Sequence, residues 1–168
     1  MDGSPVVFLE SILVFRWEMW YTEHNRRTNR NLVVNYMVAE IEKSFVKRFI
    51  KKTKQDRLLF ELSGKKRKHG IERFCHSTED MIDTERITYS GNDLFSDEIL
   101  RITRQYKVPK LCYIIAYQKE LDKKYVSFEE ALGLVLGNGM AAIIICNDFA
   151  IIETEQYSGT PFRYILHG

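Results

Sequence analysis

Residues 127–154 constrain the fold more tightly than any other stretch of the chain. Ser127-Phe128-Glu129-Glu130 has the form of a capping box, in which a hydroxyl and a carboxylate satisfy backbone donors at a helix start. The helix continues through Ala131, Leu132, Leu134, Val135 and Leu136. Gly137-Asn138-Gly139 then supplies residues suited to the left-handed backbone that closes a helix. Ala141–Cys146 reads as a buried strand, Asn147-Asp148 as a tight turn, and Phe149–Thr154 as a second strand pairing back. Ser158-Gly159-Thr160-Pro161 turns the chain again before a last strand over Phe162–Leu166. The glycines of 133–139 superficially resemble a phosphate loop. Such a loop follows a strand and opens a helix, whereas this one closes a helix and precedes a strand, so it reads as a cap.

Upstream, Val34, Met37, Val38, Ile41, Phe45 and Phe49 recur at steps of three and four. That spacing predicts one helix over Asn31–Lys54. Pro5–Tyr21 is apolar and fits helix or strand; helix is the expectation, with Trp17, Trp20 and Tyr21 as core anchors. Arg57–His76 reads as a β-hairpin. Leu58–Leu62 and Ile71–Cys75 are its strands, and Gly64 and Gly70 bracket a loop of Lys65, Lys66, Arg67, Lys68 and His69. A short strand over Arg86–Tyr89, a helix over Asp93–Tyr106 stopped by Val108-Pro109, and a buried strand over Leu111–Tyr117 complete the series. This order predicts a single α+β domain over residues 1–168, with a mainly antiparallel sheet and helices packed on it. A boundary, if one exists, falls in the acidic connection near residues 77–92.

Cys75, Cys112 and Cys146 are odd in number, widely spaced and set in apolar runs. They are expected to be buried free thiols in a reducing compartment. With no signal peptide and no uninterrupted run of 18 apolar residues, the expectation is a soluble intracellular protein, nuclear if the host is eukaryotic, with no membrane partner.

Charge is where a function shows. Residues 24–73 hold 15 Lys and Arg against 5 Asp and Glu, whereas the rest holds 10 against 18. Lys47, Lys51, Lys52 and Lys54 load the end of the predicted helix, and Lys65, Lys66, Arg67 and Lys68 fill the predicted hairpin loop. If the hairpin folds beside the helix, these eight cations share one face. Closely spaced cations of this kind neutralise successive phosphates. They are Lys-rich with little aromatic interleaving, which favours sequence-independent backbone contact over base reading. The expected function is nucleic-acid binding, DNA or RNA, alone or as a small subunit of a nucleoprotein assembly. A protein-interaction module docking an acidic partner uses the same face, and a solvated basic helix with no partner has the same composition.

A metal-dependent nuclease is the third reading. It needs carboxylates converging on a cation; Glu61 with Lys65, and Glu120 and Asp122 with Lys124, come nearest. Zinc is disfavoured because Cys75 and His76 are adjacent and would leave a strand on opposite faces, and the remaining cysteines lack paired spacing. The acidic residues of 80–97 lack the alternating calcium-loop pattern. No cofactor and no metal are expected.

Overall fold

The computed structural model describes residues 27–168 except Tyr157, with side chains from Tyr36 onward. The expectation for Pro5–Tyr21 lies outside the described residues. The chain divides into two compact units, Met1–Val38 and Ala39–Gly168; residues 77–92 fall inside the second.

In chain order the helices are α1 (Arg27–Phe49), α2 (Lys52–Ser63), α3 (Arg67–His76), α4 (Thr78–Met81), α5 (Ser96–Thr103) and α6 (Phe128–Val135). The strands are β1 (Ile87–Gly91), β2 (Cys112–Ala116), β3 (Tyr125–Val126), β4 (Ala142–Cys146), β5 (Phe149–Glu153) and β6 (Arg163–His167). Among the described residues they form one six-stranded sheet in the order β1-β6-β5-β4-β2-β3, and every pairing is antiparallel. The fold is thus α+β with an antiparallel sheet.

β2, β4 and β5 are buried at every position, because the sheet is covered on both faces. On one face Cys112, Ile114, Ile144, Phe149, Ile151 and Ile165 pack with apolar residues of α5 and α6 into a single core. On the other, Tyr113 and Tyr164 reach Glu42 of α1 and Glu79 of α4. Phe45, Phe49, Leu58, Ile71, Phe74 and Met81 of α1–α4 are each at most 2% exposed. The hydroxyl half of the capping box is formed: the Ser127 hydroxyl accepts the Glu130 N–H. Gly137 and Gly139 have φ of +81° and +64°, the left-handed backbone that glycine adopts without steric cost.

Two expectations are corrected. The helix over Asn31–Lys54 is not continuous. It stops at Phe49, where Ile50 pairs with Ile82 and Lys51 N–H donates to Met81 O at 2.9 Å. Backbone groups at this joint are satisfied across space, and the chain restarts as α2. The second correction is larger: the hairpin over Arg57–His76 is a pair of helices, α2 and α3, joined by Gly64-Lys65-Lys66. Leu58, Glu61 and Leu62 are buried at helical spacing on α2, as are Ile71, Phe74 and Cys75 on α3. The stretch is also rich in Leu, Lys, Arg and Glu, which lose little freedom in a helix. Gly70 marks a close approach, not a loop: a Cβ there would lie 2.7 Å from Glu61 Cβ.

Candidate nucleic-acid interface

Arg67 organises the basic region by turning inward. Its Nε and Nη2 donate to the two oxygens of Asp122 at 2.6 and 2.8 Å, a bidentate fork. Nη1 donates to Glu42 Oε2 and to Leu62 O, each at 3.0 Å. Glu42 Oε1 lies 2.7 Å from Nη2 and accepts the Tyr113 hydroxyl at 2.5 Å. The Arg67 side chain is 12% exposed. Burial works against its charge, but the hydrogen bonds and charges of Asp122 and Glu42 outweigh it and push its pKa up. The same burial, with Glu42 alongside, holds the Tyr113 phenol protonated and pushes Tyr125 up to about 12. The Tyr125 hydroxyl is buried with no hydrogen-bond partner among the described residues.

The fork joins two segments 55 positions apart. Arg67 opens α3 directly after the Gly64-Lys65-Lys66 turn, and Asp122 lies in the loop between β2 and β3. That loop is tightly bonded to itself and to the sheet. Leu121 and Asp122 N–H both donate to Gln118 O at 3.0 Å, and Lys123 N–H donates to Ile114 O at 2.8 Å. The Ala116 N–H donates to Asp122 Oδ1 at 3.2 Å. Lys123 is held at φ +66°, a conformation uncommon outside glycine. A second bridge runs beside the fork, with Lys68 Nζ 4.3 Å from the centroid of the Tyr117 ring. The structure therefore sets Lys65, Lys66 and Lys68 beside the loop that carries Lys119, Lys123 and Lys124. All six are exposed. None forms an ion pair or donates a side-chain hydrogen bond to a described residue.

The eight cations named from the sequence do not make one cluster. Lys47 lies on the last turn of α1, Lys51 in the joint, and Lys52 and Lys54 at the start of α2. Lys65 and Lys66 follow its other end, and at 1.5 Å per residue the helix sets Lys52 about 17 Å from that end, whereas Lys47 is five residues along α1 from Glu42, which Arg67 holds. Lys51 Nζ donates to Glu79 O at 3.0 Å, beside the acidic residues of α4. Arg67 is occupied by carboxylates. Lys119, Lys123 and Lys124 were missed by sequence reasoning, because nothing in their spacing ties them to residue 67.

Two of the three carboxylates considered for a nuclease, Glu61 and Asp122, are held by arginines, and the third, Glu120, is exposed. Glu61, 4% exposed, accepts from Arg57 Nε at 3.1 Å and from Arg73 Nη2 at 2.6 Å, and Asp122 is taken by Arg67. Among the described residues no group of three or more His, Cys, Asp or Glu is placed to hold a metal ion, and no helix is long and apolar enough to cross a membrane. All three cysteines are buried free thiols; burial, with Glu155 nearby, pushes Cys75 well above the usual thiol range. Set against family models, curated proteins and solved structures, the chain matches none of them.

Proposed function

We propose that this protein binds the phosphate backbone of nucleic acid through Lys65 and Lys66 of the α2–α3 turn and Lys68 at the start of α3, together with Lys119, Lys123 and Lys124 of the β2–β3 loop. One observation carries the reading. The Arg67–Asp122 fork fixes two lysine-bearing segments side by side and takes Arg67 out of solution, leaving six exposed lysines, of which Lys68 rests on the Tyr117 ring. A rigid scaffold presenting unpaired cations neutralises phosphates with little ordering cost and releases their counterions. Lysine ammonium groups are point charges with no fork geometry, so they position a backbone and do not read bases.

The test is fluorescence anisotropy of labelled DNA and RNA at several salt concentrations. Each lost phosphate contact flattens the slope of log affinity against log salt by roughly 0.9 for duplex DNA and 0.7 for a single strand. Replacing Lys65, Lys66, Lys123 and Lys124 with serine should flatten it by up to ~3–4 units, equally for all sequences. Replacing Lys52 and Lys54 should change it far less. Absence of binding tighter than ~100 μM by wild type at low salt would sink the reading, and the face would then belong to an acidic protein.

A further inference from the structure

Cys112 and Cys146 stand opposite each other on adjacent central strands. In the β2–β4 ladder Tyr113 pairs with Ile145 and Ile114 with Ile144, so one further step along the same register sets Cys112 against Cys146. The hydrogen bonds fix which kind of pair this is. Ile114 turns its N–H and C=O toward the 123–124 segment, at 2.9 and 2.8 Å. Cys112, two residues earlier, points its backbone the same way, whereas Tyr117 N–H points to Ala141 O. Cys112 and Cys146 are therefore a non-hydrogen-bonded antiparallel pair, the closer type, with Cα atoms about 4.5 Å apart. A disulfide spans Cα separations of about 4.4–6.8 Å. Both side chains face the α5–α6 side of the sheet in one core. Cys75 is on α3, away from this pair.

We propose that Cys112 and Cys146 form a dithiol modification site that closes to a cross-strand disulfide when a small-molecule disulfide reaches it. One cysteine thiolate attacks the oxidant and displaces one thiol from it. The second thiolate then attacks the mixed disulfide and displaces the other. One S–S bond forms and one breaks, two cysteine S–H bonds are lost, and the oxidant leaves as two thiols carrying those protons. Burial disfavours the thiolate, so the rate is set by local opening at the strand ends. Leu111, next to Cys112, is 52% exposed, and Asn147, next to Cys146, is exposed.

The experiment oxidises the whole protein with glutathione disulfide under native conditions, and maps disulfide-linked peptides without reduction. The expected product is a monomer, two mass units lighter, with Cys112 linked to Cys146 and Cys75 free. Its unfolding midpoint should rise by roughly 5–15 °C, because the link constrains the unfolded chain, and a reductant should reverse the rise. A Cys75→Ala variant should lose both remaining thiols together. Stable glutathione adducts on either cysteine, a link through Cys75, or two persistent thiols after days of exposure would each overturn the proposal. So would a linked product that melts below the reduced protein, because that would place the pair outside bonding geometry in the native sheet.

Discussion

Glu61 and Arg67 are each surrounded by opposite charge, and each behaves differently from its neighbours in the sequence. Burial opposes the Glu61 charge, yet hydrogen bonds from Arg73 and Arg57 outweigh it and hold its pKa below the ordinary 4.5. The unfolded chain then takes up the proton first. The stabilisation is complete above that ordinary value and is lost as pH falls through the lower, folded one. Urea unfolding followed from pH 6 to pH 3 should show the loss in wild type, and Glu61→Gln should remove that part of the pH dependence. An equal acid limb in both proteins would show that Glu61 is not the group responsible. Arg67→Ala should cost about 3–5 kcal/mol in urea unfolding, since it leaves two carboxylates uncompensated. Lys66→Ser, one position earlier and exposed, should stay within about ±0.5 kcal/mol. From composition the four cations 65–68 are equivalent. Burial separates them, and burial here depends on Glu42 and Asp122, which no local pattern brings near.

At the scale of elements, the C-terminal half was legible because its signals are local. A capping box, a glycine cap and continuous apolar runs each specify an element by themselves. The α2–α3 pair was not, because short apolar runs suit both helix and strand, and Gly70 carries two opposite meanings. In a loop it provides backbone freedom. In a helix it allows a neighbour to come close. Gly70→Ala separates these meanings. Alanine gains about 1 kcal/mol in helix propensity, but its Cβ would sit 2.7 Å from Glu61 Cβ, and overpacking costs about 1–3 kcal/mol. It would also displace the Glu61–Arg73 pair. The net effect should be destabilising by thermal and urea unfolding; a stabilised Gly70→Ala protein would mean that α2 and α3 do not touch there.

At the scale of the molecule, the sequence indicated the fold class and a basic half, but placed the cations by proximity along the chain. The structure sets Lys52 at the far end of α2 from Lys65 and Lys66, turns Arg67 inward, and places Lys119, Lys123 and Lys124, 50 or more positions on, beside the α2–α3 turn. The central sheet is the common support. Ile144 is fully buried in β4, between β2 and β5, so Ile144→Asp would bury an unpaired charge and cost several kcal/mol, enough to unfold a typical domain. Circular dichroism and size-exclusion chromatography should report loss of the folded species.

Among the described residues β1 has one neighbour, β6, whose residues come more than 70 positions later. During synthesis, β1 must therefore wait through the making of every other strand before its ladder can form. Its residues Ile87–Gly91 carry no charge and no proline, the usual guards of an open edge. β6 also supplies the outer partner of β5. A nascent chain halted before Arg163 thus leaves β1 and the outer edge of β5 without their shared partner at once, and this interval is when the protein is most exposed to pairing with copies of itself.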